Sequence, residues 1–146
     1  MKVDEVPQDP GIIKDGRCEI CYAVDRDGSY VLYGSKGWTP KNIANSQAWD
    51  VINNRIRAVA EQVRKGKESP LAFYMVQHQM DVRLLAKYAG ISRWRVRRHL
   101  KPAVFEKLGA RILSRYADLF EISVDQIKRI PNDFNQENMT PSDDKY

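Results

Sequence analysis

The side chains able to do chemistry are unevenly spread along this sequence. Cys18 and Cys21 stand at the C-x-x-C spacing of half a zinc site. Structural zinc takes four ligands, and the only other soft candidates are His78 and His99, in a different region of the chain. Two ordinary cysteines on a strand are the simpler reading, and a redox role would need a thioredoxin-like context that the flanking residues lack. Neither histidine has a Ser or Cys near enough in the pattern to suggest a nucleophilic triad, and paired carboxylates and phosphate-cradling loops are missing. The expectation is a protein that is not an enzyme and holds no metal or cofactor. The residues that stand out are Gly90 to Lys101, GISRWRVRRHLK, where five of twelve are Arg or Lys.

Charge around that segment is strongly biased. The chain of 146 residues carries a net charge of +5. Residues 80–116 hold ten Lys/Arg against only Asp81 and Glu106, while the rest carries 14 basic and 17 acidic residues. Like charges held together repel, and an opposite partner relieves the repulsion, so the asymmetry favours a polyanion. A solvated helix face usually mixes signs, yet Val82 to Phe105 contains no acid. With 42% hydrophobic and 10% aromatic residues the chain belongs with globular proteins. No apolar run approaches the ~18 residues of a membrane span, and MKVDEVPQDP lacks the apolar core of a signal peptide. Two cysteines without a secretion signal fit a reducing, cytoplasmic setting.

The elements that would position these side chains read in order. Residues 1–17, with two prolines and no apolar period, suggest a flexible arm. CEICYAV and SYVLY, parted by Asp25-Arg26-Asp27-Gly28, predict a β-hairpin. Thr39-Pro40 reads as a cap and first turn, opening a helix that ends near Gly66. Along it Trp49, Ile52, Ile56, Val59 and Val63 recur at spacings of three and four. That stripe packs either on its own domain or as a short a/d seam in a homodimer. Together residues 18–66 form a packing or dimerisation extension. Five helices should follow over 67–130. Ser69-Pro70 opens the first, Asp81 the second, Ser92 the third (ended by Pro102); the fourth spans about Ala110–Phe120, and the Ser123–Gln126 capping box opens the fifth. The polar tail 131–146 reads as disordered, and its sequon at Asn138 means nothing without secretion.

Leu85, Ala86, Gly90, Ile91, Ser92 and Val96 suit two helices joined at a steep angle. Small Ala86 permits close approach, Gly90 takes a left-handed turn conformation, Ile91 plugs the angle, Ser92 caps, and Val96 faces the shared core. LLAKYAGISRWRV thereby resembles the helix-turn-helix of the phage-repressor (Cro/lambda-repressor, XRE) family, and ILSRYADLFEISVDQI is similar to that family's closing segment. The resemblance covers about residues 70–130. It departs at Val82, where the family usually has a phosphate-contacting Gln, at His99, normally apolar, and in the apolar connection KPAVFEKLGA.

What the resemblance implies is a mainly α fold: a five-helix repressor-like domain carrying an N-terminal β-hairpin and a long amphipathic helix. It also implies a prokaryotic or phage-type transcriptional regulator that reads duplex DNA with residues 92–101. Ser92, Arg93, Trp94, Arg97, Arg98 and Lys101 then face the DNA, with Arg83 and Lys87 on the preceding helix and Lys107 beyond. Arginine can pair bidentately with guanine O6 and N7, and lysines add attraction through counterion release. Trp94 has two roles open, a thymine methyl or backbone contact, or packing on an extra element such as the hairpin. Dimers are expected because one recognition helix makes few base contacts. Two other readings stand beside this one: a protein-interaction module for an acidic partner, antitoxin-like, anchored by Trp94, and RNA binding through the same face.

Overall fold

A computed structural model describes residues 1–10 and 17–131; the rest of the expected arm and nearly all of the expected tail lie outside the described residues. Among the described residues the chain is mainly helical, with one two-stranded antiparallel sheet. It divides into two compact units whose boundary, Val51 to Ile52, falls inside the long helix.

In the first unit, strands β1 (Glu19–Val24) and β2 (Tyr30–Ser35) pair in the register Tyr22↔Leu32. Asp25 and Ser29 close the loop, Gly28 donates to the Asp25 carbonyl, and Gly28 sits at φ 87°, the left-handed position of a bulged hairpin turn. The Asp27 carboxylate accepts the Ser29 N–H at 2.9 Å, which holds its pKa below the usual carboxylate value.

Residues 1–10 are not the loose arm their composition suggests. The Met1 carbonyl accepts the Val24 N–H, the Pro7 carbonyl accepts the Ser35 hydroxyl, and Gln8 Nε2 donates to the Gly34 carbonyl at 2.8 Å. Val6 is buried, as is Ala23. At the start of helix α1 (Thr39–Arg64), Thr39 is the first residue rather than the expected cap. The Asp9 carboxylate accepts the Thr39 N–H at 2.8 Å and supplies the cap from a distant part of the sequence. Hydrogen bonding to Thr39 also lowers the Asp9 pKa.

The second unit comprises the C-terminal part of α1 and six further helices: α2 Pro70–Gln77, α3 Val82–Ala89, α4 Arg93–His99, α5 Pro102–Phe105, α6 Ala110–Leu119 and α7 Val124–Ile127. One core joins Ile56, Leu71, Phe73, Leu85, Val96, Tyr116 and Ile127, all fully buried. Each large apolar side chain enclosed this way contributes about 1.5–3 kcal/mol. Of the α1 stripe, Ile56 lies inside this core, and Ile52, Val59 and Val63 pack against it. From Ile52 to Val63 the stripe therefore packs on its own chain, the first of its two readings.

Three local expectations need amendment. Pro102 does not merely end α4; it opens α5, whose Phe105 is buried. Ser69 and Ser92 occupy cap positions with extended backbones, but neither hydroxyl makes a cap bond. Asp81 and Ser123 do cap, through Leu84 N–H at 2.7 Å and Gln126 N–H at 3.1 Å, and Gln126 completes the capping box.

Candidate nucleic-acid interface

The joint between α3 and α4 is built as its residue types require. Gly90 adopts φ 63°, ψ 34°, and the Ile91 N–H reaches back to the Ala86 carbonyl at 3.0 Å. This is the closing bond of a left-handed helix terminus, and it satisfies a carbonyl the helix end would otherwise leave unpaired. Leu85, Ala86, Ala89 and Ile91 are buried at the joint.

Helix α4 is then fixed from several sides. Val96 is fully buried. His99 is buried too, with Nδ1 2.9 Å from the Tyr116 hydroxyl of α6. At the far end Ser69 donates its hydroxyl to the His99 carbonyl and its N–H to the Leu100 carbonyl, at 3.0 and 2.9 Å. The unspent Ser69 cap group is thus used to satisfy the last carbonyls of α4. Burial raises the Tyr116 pKa to about 12, so the phenol keeps its proton. Burial also lowers the His99 pKa, helped by the Arg95 and Arg98 cations, so the imidazole is neutral at pH 7.

With Val96 and His99 turned inward, the helical period turns Trp94, Arg97 and Arg98 outward, and all three are exposed. Lys101, just past the helix, is exposed, as are Ser92 and Arg93 at its start. Arg83 and Lys87 share the exposed face of α3 one turn apart, and Lys107 is exposed beyond α5. Among the described residues no carboxylate pairs with any of these cations; the ion pairs present are Lys41–Glu19, Lys65–Glu61 and Lys128–Asp125. Trp94 is 63% exposed and is not seated in the core of its own helical unit. Its ring instead carries the Arg98 guanidinium, 4.8 Å from the centroid, an arrangement worth about 0.5–1 kcal/mol at an exposed site. The stacking sets the Arg98 guanidinium against the Trp94 indole on the exposed side of α4.

Two cations escaped the sequence reading. Arg95 is exposed on the flank of α4, close enough to act on His99 and Tyr116. Arg115, on α6, brings a guanidinium nitrogen 3.5 Å from the Gly90 carbonyl at the turn. Nothing local announces the second, since it is placed by the packing of α6 on α3. Tyr88 and Leu84, exposed on α3, add apolar surface to the basic set.

Cys18 and Cys21 are free thiols, and Cys21 donates to the Tyr33 carbonyl across the hairpin. Among the described residues no group of three or more His, Cys, Asp and Glu is placed to hold a metal ion. No helix among them is long and apolar enough to cross a membrane. No family model, curated protein or solved structure matches this chain.

Proposed function

We propose that the chain is a sequence-specific duplex DNA-binding protein, a transcriptional regulator that presents α4 to the major groove. One observation carries this reading: Arg97 and Arg98 on α4, with Lys101 just past it, form an exposed cationic face without acidic partners among the described residues, on a helix whose other sides are locked into the core. A locked helix loses little further entropy when its arginines engage base edges, which is what discrimination between sequences needs. The left-handed Gly90 turn supports the resemblance to repressor-type helix-turn-helix domains. Arg83, Lys87, Arg93 and Lys107 then act on phosphates and contribute affinity rather than sequence choice.

The test is a selection of bound sequences from random duplexes, followed by titration of the best site at several salt concentrations. Affinity should fall steeply with salt, and Arg97→Ala with Arg98→Ala should cost about 1–3 kcal/mol per lost base contact while leaving helical content unchanged. Lys87→Ala should weaken all duplexes alike and reduce the log–log salt slope by about one. No binding at low salt, or a double variant that keeps the sequence preference, sinks the proposal. The 63% exposed Trp94 favours one other reading, an acidic protein partner anchored by that indole. In that case Trp94→Ala abolishes partner binding and duplex DNA is not retained.

A further inference from the structure

We propose that the exposed face of the β-hairpin is an interface that seats a second copy of this chain. Strand alternation places Ile20, Tyr22, Val24, Tyr30, Leu32 and Gly34 on one face, with Tyr22 opposite Leu32 and Val24 opposite Tyr30. Ile20, Tyr22, Tyr30 and Leu32 are 71%, 73%, 79% and 63% exposed. The other face holds Ala23 and Ser35, both buried, where the Val6–Gln8 segment crosses. One side of this small sheet is partly covered by its own chain, though Tyr33 there is exposed, and among the described residues the apolar side stays open.

A second copy supplies what the unit's own core lacks. Among its described residues only Val6 and Ala23 are buried apolar side chains, whereas it holds nine of the twelve exposed large ones. A two-stranded sheet with so little enclosed surface is marginal alone and gains its missing core by pairing. At roughly 150 Å² for each of the four side chains the face offers on the order of 600 Å². Two such faces together bury about 1,200 Å², the threshold of a stable specific interface.

Charge also favours a second copy. Residues 1–51 carry six Lys/Arg and eight Asp/Glu, and the bare face itself contains no charged side chain. The face offers no cation to a phosphate, and two copies meet there without like-charge repulsion. A two-fold arrangement suits the face, because Tyr22 of one copy then packs on Leu32 of the other and the reverse contact repeats it.

The experiment is sedimentation equilibrium on the full chain without nucleic acid, so its outcome is independent of the DNA-binding proposal. The wild type should have the mass of a dimer at micromolar concentration, Leu32→Met should keep it, and Leu32→Glu should be monomeric with unchanged helical circular dichroism. To separate a lost interface from a lost hairpin, single cysteines are placed in a Cys18→Ser, Cys21→Ser background. A short thiol crosslinker should join Leu32→Cys chains in pairs and leave Lys67→Cys chains single. A monomeric wild type, a dimeric Leu32→Glu variant, or equal crosslinking at the two positions overturns the proposal.

Discussion

At the base of α4 the buried pair His99–Tyr116 takes a position where an aliphatic side chain would suffice for packing. The pair substitutes a hydrogen bond for close apolar contact, and both partners must stay neutral to keep it. Because burial lowers the His99 pKa, the unfolded chain takes up a proton before the folded one does. Stability is therefore complete above the ordinary histidine value of about 6.5 and declines as pH falls through 6.5 toward the folded value. His78, lowered by burial as well, adds to the same window. Thermal unfolding should show a lower Tm at pH 5 than at pH 7.5, with a smaller decrease in His99→Gln. Tyr116→Phe leaves the imidazole nitrogen without its partner and should cost about 1–2 kcal/mol in denaturant unfolding at pH 7.5. Nothing in the sequence around His99 predicts this pair, since Tyr116 reaches it from another helix.

The helix joints repeat one device. Gly66, Gln79, Gly90 and Glu121 all have left-handed φ, 68°, 53°, 63° and 54°. After each, the next N–H returns to the carbonyl five residues back: Lys67 to Gln62, Met80 to Met75, Ile91 to Ala86 and Ile122 to Ala117. The A-x-x-x-G-I-S of the α3–α4 joint thus recurs between α6 and α7 with Glu121 in the glycine's place. Only the glycine joints are legible as turns, because the signal in sequence is the missing Cβ rather than the bond that closes the turn. A side chain in this conformation costs about 1–2 kcal/mol, partly offset because glycine has more freedom to lose on folding. Glu121→Gly and Gln79→Gly should each raise stability by roughly 0.5–1 kcal/mol, and Gly90→Ala should lower it by about 1 kcal/mol. Chemical denaturation of the three variants decides this, and a loss of stability in Glu121→Gly would count against the strain argument.

The whole molecule separates its tasks between two units. The helical unit holds the core and the excess positive charge of residues 80–116; the hairpin unit holds little core and most of the exposed apolar surface. Their boundary within α1 explains why one helical stripe invited two readings. From Ile52 onward the stripe packs into the helical unit, so Ile56→Ala should destabilise that unit by about 2–5 kcal/mol in denaturant unfolding. If it instead left stability intact and changed only the mass in solution, Ile56 would be an interface residue after all. Much was legible beforehand. Asp25–Gly28, Asp81, Gly90 and the Ser123 capping box mark their elements because turns and caps depend on a few adjacent residues. The mainly helical character and the exposed Arg97, Arg98 and Lys101 follow from period and composition, which are equally local. Only tertiary structure decided that Asp9 caps α1, that residues 1–10 clasp the hairpin, that His99 meets Tyr116, and that Trp94 lies open beneath Arg98. Each is a pairing between side chains or segments whose partner is selected by packing, and one-dimensional spacing carries no record of it.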